Sequence, residues 1–269
     1  MSIRIPATII FMIASLLHSS ALLAQTTRKL EAVTLGLSAK HVLNLPIYLA
    51  QRHGIFESEG FDYKPITTKT NTAIAALVSG DLDYITAFNS GLSAALGGAP
   101  LVAGYISTLD VTQGMVALFS GTVAAATLSP PYDSIAVRKG YNRLVLGSEV
   151  LPRFVENGLV MRRAKLRDNP DQVRRFLRAM IRGLHFAMDH PSESVALIQK
   201  DWNLDRETAQ TAYDAALPTY NLRGEVSDEL IAALIKRAQQ DAKITESKFA
   251  PKDFVDWNIV RGILREVKR

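Results

Sequence analysis

The sequence predicts an α/β protein with two lobes and a helical C-terminal region. Apolar, β-rich segments alternate with helical segments from residue 33 to residue 106, which is typical of a mainly parallel sheet. The segment ALVSG at residues 76–80 recurs as ALFSG at residues 117–121, which indicates two similar halves unless the short repeat is chance. From Pro170 onward, apolar residues recur every three to four positions, as in amphipathic helices.

The first 24 residues predict a secretory signal peptide. Arg4 precedes an apolar run at residues 5–17, and small residues follow at Ser19, Ala21 and Ala24. Cleavage is expected after Ala21 or Ala24. The run is shorter than the about 20 apolar residues that span a bilayer, so we favour export over a membrane anchor. We therefore expect a periplasmic protein.

The elements of the first half follow in order from short apolar runs and their flanking turns. Strands are predicted at residues 33–37, 61–66, 83–87 and 101–106, which are rich in β-branched and aromatic residues. Helices are predicted at residues 45–53, 74–79 and 93–96. Residues 70–72 are typical of the N-terminus of the second helix, and Gly80 is its expected C-terminal cap.

The second half predicts a series of helices. The first begins near Pro170, with Asp168 or Asn169 as its cap, and further helices are expected at residues 192–201, 205–216 and 227–240. Ser227 is a good N-cap for the last. The buried stripe of the first helix is expected at Val173, Phe176, Leu177, Met180, Ile181 and Leu184. The domain division is then a signal peptide at 1–24, lobe 1 at 25–108, a truncated lobe 2 at 109–165, and C-terminal helices at 166–269 that pack back on both lobes.

Composition narrows the classes of function. The chain has no cysteine, which excludes a disulfide framework, a thiolate metal site and a cysteine nucleophile. A net charge of +5 over 269 residues is mild, and no lysine-rich tract accompanies it, so we expect no nucleic-acid partner. A basic run could indicate a phosphate or membrane surface, but we favour the solvated face of a helix: Arg162, Arg163, Lys165, Arg167, Arg174, Arg175, Arg178 and Arg182.

Catalytic and metal-binding patterns are absent from the sequence. Motifs of serine hydrolases, P-loops and dinucleotide-binding turns do not occur, and no ligand spacing with acidic residues is found at His41, His53, His185 or His190. Asp81 and Asp83 could form a catalytic pair, but carboxylates at a strand start commonly bond the local backbone. We therefore expect a protein that is not an enzyme and holds no metal or cofactor.

Small polar residues follow the predicted strands and favour a binding site. They are SAKH at 38–41, TNT at 70–72, NSG at 89–91 and SPPY at 129–132. In open α/β sheets, ligands bind beyond the carboxyl ends of the strands, near helix N-termini whose free N–H groups suit anions. The loops predict a pocket of hydroxyl and amide donors with one aromatic ring. Taken singly, each residue could be an ordinary cap or turn.

Several of these segments resemble periplasmic substrate-binding proteins of ABC transporters, of the nitrate/sulfonate/taurine (thiamine-pyrimidine-like) family. The segment LPIYLAQRHGIF at 45–56, followed by EGF at 59–61, resembles that family's apolar helix ending in Gly-Ile-Phe. Residues 75–83, 117–126 and 169–179 resemble its other elements. The resemblance implies a type II periplasmic-binding-protein fold, whose two lobes close over a ligand by a hinge. A long segment that the family carries after residue 106 is missing, an apparent internal deletion in the second lobe.

The resemblance also implies ligand-binding positions. Those that match the family's ligand loops are Ser38, Asn44, Asn71, Asn89, Ser90 and Ser129, with Tyr132 nearby. Phe88 and Tyr132 would suit an aromatic acid.

The implied function is capture of a small organic or anionic solute (a sulfonate, nitrate, a carboxylate or a pyrimidine) for ABC import. The expected partners are that ligand and an ABC permease in the inner membrane, and the receptor is expected to be a monomer. Alternatives are a binding module for a sensor, or a degenerate paralogue that no longer binds. A related pyrimidine-synthesis enzyme is disfavoured because its site is cysteine-rich and uses pyridoxal phosphate, whereas this chain has no cysteine.

Overall fold

Five strands form one mixed sheet. The computed structural model describes residues 29–37, 40–108, 118–121, 123–128, 130–145, 155, 157–244 and 249–267. The strands are β1 (Glu31–Leu37), β2 (Phe61–Thr67), β3 (Tyr84–Ala87), β4 (Leu101–Thr108) and β5 (Asn157–Arg162), in the order β2-β1-β3-β5-β4. β1 is parallel to β2 and β3, whereas β5 is antiparallel to β3 and β4. Four strands therefore run the same way, and the α/β class is confirmed.

Helices cover this sheet and continue beyond it. They are α1 (Leu45–Arg52), α2 (Ile55–Ser58), α3 (Thr70–Ser79), α4 (Phe88–Leu96), α5 (Tyr132–Arg138), α6 (Arg163–Asp168), α7 (Pro170–Asp189), α8 (Pro191–Trp202), α9 (Arg206–Ala216), α10 (Asp228–Asp241) and α11 (Asn258–Val267). Short 3-10 turns lie at Val42–Asn44, Leu217–Thr219 and Pro251–Asp253. None of the helices in the described part of the chain has the length and apolar character needed to span a bilayer.

The first half follows its local signals closely. β1 lies between two strands, and Val33 and Leu35 are fully buried. A Cβ added at Gly36 would lie 2.8 Å from Leu82 Cδ1, so β1 and the start of β3 pack too closely for a side chain there. Gly80 caps α3 with a left-handed φ of 101°, as predicted.

Helix α3 begins at Thr70, where residues 70–72 were expected to form a helix N-terminus. One predicted boundary is wrong. Helix α4 begins at Phe88, directly after β3, where residues 88–91 were expected to form a loop. Phe88 is buried in the core, and its burial holds the helix start against the sheet.

Helix α7 is the central helix of the C-terminal part. It begins at Pro170, and the stripe predicted from Val173 to Leu184 is buried throughout. Phe176 stacks on Tyr84 of β3 with ring centroids 4.3 Å apart. Gly183 faces α1 so closely that a Cβ there would collide with the Pro46 carbonyl oxygen. These contacts fix α1, and the loop before it, against α7.

The later helices also follow their capping signals. The Asp205 carboxylate accepts from the Thr208 N–H at 2.9 Å, and the Ser227 hydroxyl accepts from the Leu230 N–H at 3.3 Å. Asn169, one of the two proposed caps of α7, is its N-cap residue but makes no side-chain capping bond, and Asp168 pairs with Arg167. Helix α11, which the sequence analysis missed, packs against α7 and β4.

Strand β5 joins the same sheet as the strands of lobe 1. Residues 157–162 were assigned to lobe 2 in the sequence division, yet they pair between β3 and β4. Helix α5 lies in the described part of lobe 2 and contacts α9. The division into two lobes stays a prediction, and the predicted signal peptide at 1–24 lies outside the described residues.

Much of the basic run is engaged in ion pairs, whereas Arg163, Arg167 and Arg182 are exposed, as expected for a solvated face. Arg178 donates to both oxygens of the buried Glu59 carboxylate, at 2.6 to 2.9 Å, and Arg182 donates to the same group at 2.9 Å. Arg175 pairs with Glu31 at 2.7 Å. Lys165 is buried and lies 2.5 Å from the Asp83 carboxylate. These bonds join α6 and α7 to β1, α2 and β3.

Candidate functional site

The carboxyl ends of four strands meet at one edge of the sheet. Because β5 is antiparallel, its first residue lies at this same edge, and Asn157 pairs with Ala87 of β3 and Thr108 of β4. The loop after β1 leads here into the 3-10 turn Val42–Asn44. We call this boundary, with residues 40–44, 86–90, 155 and 157 and the side chains that lie against them, the site edge.

A pair of buried amides lies at the site edge. The Asn157 amide nitrogen donates to the Asn44 side-chain oxygen at 3.2 Å, and both residues are about 2% exposed or less. Buried amides are held in one orientation when they are hydrogen-bonded. Asn44 was predicted as a site residue, whereas Asn157 was missed because no strand was predicted there.

Asn89 and Ser90 lie in the first turn of α4 at the same edge. The Asn89 amide nitrogen donates to the Val155 carbonyl at 2.7 Å, which ties α4 to the segment before β5. Ser90 is half-buried beside it. Phe88 is 1% exposed and packs in the core of the sheet with Leu92.

Asn71 lies apart from the other candidates. It is exposed in the first turn of α3, after the outer strand β2, with β1 between that strand and β3. Ser38 and Ser129, the remaining serine candidates, lie outside the described residues.

The segment before α5 crosses the loop after β1. The Val42 N–H donates to the Pro130 carbonyl at 3.4 Å, and the Tyr132 hydroxyl donates to the Lys40 carbonyl at 3.5 Å. Tyr132 is therefore brought to the site edge, as predicted for a ring near the ligand loops. The two long bonds place a segment of predicted lobe 2 directly over the loop of lobe 1.

Two buried polar atoms near this crossing have no hydrogen-bond partner in the described structure. They are His41 Nδ1, in a side chain that is 7% exposed, and the hydroxyl of Tyr48 on α1. Burial lowers the pKa of His41 to about 4, so the ring is neutral at pH 7. Burial raises the pKa of Tyr48 to about 12 and outweighs the nearby Asn44 side chain and His41 backbone, which act to lower it, so the hydroxyl keeps its proton. A buried polar group without a partner costs about 1 to 3 kcal/mol.

The site edge also contains a cation, Lys40, and an indole, Trp202, which is the last residue of α8. Lys40 Nζ lies 5.0 Å from the centre of the Trp202 ring and donates to the Asp201 carbonyl at 2.8 Å. The Trp202 ring is 6.0 Å from that of Tyr48, and its Nε1 is another buried atom without a partner in the described structure. No sequence pattern indicated Trp202, which is 154 residues beyond Tyr48 along the chain.

Carboxylates that could act in catalysis are engaged elsewhere. Asp83 accepts from the Thr34 N–H and hydroxyl and pairs with Lys165, and Asp81 accepts from the Ser79 hydroxyl at 2.7 Å. Burial alone would raise the pKa of Asp83, but the bonds from Lys165 and Thr34 outweigh it and lower that pKa. Within the described ranges, His, Asp and Glu form no cluster of three that could hold a metal ion. The arrangement offers neutral hydrogen-bonding groups and one nearby cation, which suits binding.

Comparison with known proteins gives a family match over part of the chain. Residues 106–194 match the family described as NMT1/THI5 like. A putative aliphatic sulfonates-binding protein of Bacillus subtilis (strain 168) is 24% identical over 163 residues, which cover 60% of this chain. The match covers 48% of that relative, so the chain spans about half the length of the curated relative it matches.

Solved structures share the fold. A protein from Bordetella bronchiseptica RB50 superposes with a TM-score of 0.75 and 16% identity, over 88% of this chain and 98% of that one. The periplasmic aliphatic sulphonate binding protein SsuA from Escherichia coli superposes with a TM-score of 0.63 and 16% identity, over 83% and 91% of the two chains. The resemblance to periplasmic substrate-binding proteins is confirmed, and the chain has their fold.

Proposed function

We propose that this protein is a periplasmic solute-binding protein that captures a small organic or anionic solute for ABC import. The solute belongs to the sulfonate, nitrate, carboxylate or pyrimidine class. The protein acts as a monomer, by binding without turnover, and delivers the solute to an ABC permease in the inner membrane. The predicted signal peptide would direct export of the protein to the periplasm.

The observation that carries the proposal is the set of buried, unpaired polar atoms at the site edge. Folding alone would favour pairing or removing His41 Nδ1 and the Tyr48 hydroxyl, because each raises the free energy of the ligand-free protein. A solute with oxygen or nitrogen acceptors would accept from the Tyr48 hydroxyl and bond the neutral imidazole. The same atoms would then stabilise the complex.

Charge supports an acidic solute. Lys40 is half-exposed beside Trp202, and its carboxylate partner Asp201 lies at 3.5 Å, a weak ion pair that an anion could replace. The net charge of +5 favours approach of anions. The names of two relatives, an aliphatic sulfonates-binding protein and a periplasmic aliphatic sulphonate binding protein, agree with this class.

Enclosure supports capture. The Pro130 and Tyr132 segment crosses the loop after β1, and Arg138 of α5 pairs with Asp205 at 2.6 Å. These contacts lie between predicted lobe 2 and the rest of the chain. Opening them would admit a solute, and reforming them would shield it from water.

A thermal-shift screen of the purified protein tests this function, with alkanesulfonates, nitrate, aromatic carboxylates and pyrimidines as probes. A true ligand at a hundredfold excess over its Kd stabilises the protein by about 2.7 kcal/mol. Product analysis after long incubation should recover the probe unchanged. Absence of any stabilising probe would favour the degenerate paralogue, and conversion of the probe would contradict a pure receptor.

Two asparagine variants locate the site within that screen. Asn44→Ala removes a buried amide of the site edge, whereas Asn71→Ala removes an exposed amide after the outer strand. We expect the ligand-induced shift to be largely lost in Asn44→Ala and kept in Asn71→Ala. Equal shifts in the two variants would place the ligand elsewhere.

A further inference from the structure

A concavity lies at the end of the sheet opposite the site edge, where β4 begins. It has a volume of about 360 Å³ and is lined by Val102, Arg163, Arg167, Lys252, Val255 and Asp256. Val102 is at the start of β4, whose last residue, Thr108, is at the site edge. At about 3.3 Å per residue, the length of β4 separates the two places by about 20 Å. We call this concavity the basic cleft.

The walls of the basic cleft are held by backbone bonds. The Ala103 N–H donates to the Phe254 carbonyl at 2.8 Å, and the Asp256 N–H donates to the Ala103 carbonyl at 2.9 Å. These bonds add residues 254–256 to the free side of β4 as a short parallel bridge. On the other side, the Arg163 N–H donates to the Pro100 carbonyl at 2.8 Å, where α6 begins. The cleft is therefore a formed feature of the fold.

The cleft combines an apolar floor with cations at its rim. Val102 and Val255 are 4% and 7% exposed, so little apolar surface remains for water. Among the described residues, no carboxylate pairs with Arg163 or Lys252, and Arg167 pairs with its sequence neighbour Asp168 at the surface. Asp256 is the one acidic lining residue, and its carboxylate already accepts from the Asn258 N–H at 2.9 Å.

We infer that the basic cleft binds a small organic anion, a carboxylate or sulfonate with a short apolar body. Its volume lies in the range of about 300 to 1,000 Å³ that is usual for small-molecule sites. The anionic group lies between Arg163 and Lys252, where planar guanidinium and ammonium donors give charge-assisted hydrogen bonds. The apolar body lies against the half-buried side chain of Leu166, which lines the cleft together with Val102 and Val255. This site is separate from the site edge and does not depend on the proposed transport function.

Trp257 provides a reporter for the cleft. The chain has two tryptophans, Trp257 next to Asp256 and Trp202 at the site edge. In full-length Trp202→Phe protein, the emission comes from Trp257 alone. We expect hexanesulfonate to change this emission saturably. Sulfate, which lacks the apolar body, and 1-hexanol, which lacks the charge, should act far more weakly. Added salt should weaken the response, because the cations are exposed.

Charge variants in this background test the assignment. Arg163→Gln with Lys252→Gln should weaken the hexanesulfonate response at least about tenfold, the effect of losing a hydrogen bond to a charged group. The matched control, Lys236→Gln with Arg237→Gln, removes the same charge from an exposed face of α10 and should respond like the parent. Melting curves check that both pairs of variants fold.

Three results would overturn the inference. The first is the lack of any saturable change up to the solubility limit of hexanesulfonate. The second is a parental response in Arg163→Gln with Lys252→Gln, and the third is an equal loss of response in that variant and in its control. Failure of this inference can be distinguished from failure of the proposed function. The charge variants of the basic cleft leave Asn44 and Tyr48 intact, so the thermal-shift response tests the site edge independently.

Discussion

Two regions of the molecule treat buried polar groups in opposite ways. At the contact of α7 with α2, the Glu59 carboxylate is 6% exposed, and three arginine nitrogens donate to it. At the site edge, His41 Nδ1 and the Tyr48 hydroxyl are buried and have no such partner in the described structure. The first arrangement stabilises the fold, whereas the second raises the energy of the ligand-free protein. The contrast indicates which region is structural and which is available to a solute.

The largest expected effect that separates the two regions is the pH dependence contributed by His41. The folded pKa of about 4 is below the ordinary value of 6.5, so between these values the unfolded chain binds the proton more readily. This contribution to stability is complete above pH 6.5 and is lost as pH falls toward 4, in total about 3 kcal/mol. The free energy of unfolding in urea, measured over this pH range, should depend less steeply on pH in His41→Gln than in wild type. Parallel slopes would contradict a buried neutral imidazole.

The contribution of Glu59 to stability should be smaller than that of His41 and should be lost at a lower pH. Burial alone would raise the pKa of Glu59, but the bonds and charges of Arg178 and Arg182 outweigh it and lower that pKa below 4.5. Its contribution is therefore present above pH 4.5 and is lost as pH falls further. Glu59→Ala should lower the free energy of unfolding at pH 7 by about 2 kcal/mol, a reduced value because both arginines can return to water.

Ligand affinity separates the Glu59 variant from site variants. Once a ligand is known, Glu59→Ala should bind it with wild-type affinity when measured well below the melting temperature. Asp171→Ala is the control, since its ion pair with Arg175 is exposed and should contribute less than about 0.5 kcal/mol. An equal loss of stability in these two variants would show that burial of Glu59 has no special role.

Removing the Asn157 amide should have a smaller effect on stability. Asn157→Ala removes the hydrogen bond to Asn44 within a buried pair, and we expect a loss of about 1 to 2 kcal/mol. Unlike Glu59→Ala, it should also weaken ligand binding, because the Asn44 side chain loses its hydrogen bond from Asn157. Chemical unfolding would measure the free energy of unfolding, and calorimetry on the same samples would measure the affinity for the ligand. Wild-type affinity in Asn157→Ala would confine that pair to a structural role.

The sequence predicted the elements whose signals are local. The buried stripe of α7, the Ser227 cap and the Gly80 turn each depend on residues within one or two helical turns, and all are present. Strand β5 was missed because its apolar run at 158–161 is short and is followed at once by basic residues. Its position between β3 and β4 depends on pairing with residues at least 49 positions away along the chain, which periodicity does not report.

The candidate site depended on two kinds of argument. Asn89 and Tyr132 were proposed because loops after parallel strands meet at one edge, Asn44 was implied by the family resemblance, and the structure brings all three to the same edge. Asn157 and Trp202 were missed, since they reach that edge from an antiparallel strand and from the end of α8. Asn44 and Asn157 are 113 residues apart, so only the folded sheet brings them together.

The most direct test of the account compares two tyrosines that each bury an unpaired hydroxyl. Tyr48 lies at the site edge, whereas Tyr63 lies in β2, stacked on Phe56 with centroids 4.1 Å apart. Calorimetry with the ligand from the screen should show about tenfold weaker binding for Tyr48→Phe, without loss of thermal stability, and unchanged binding for Tyr63→Phe. Wild-type affinity in Tyr48→Phe would contradict the claim that the unpaired atoms of the site edge serve a solute.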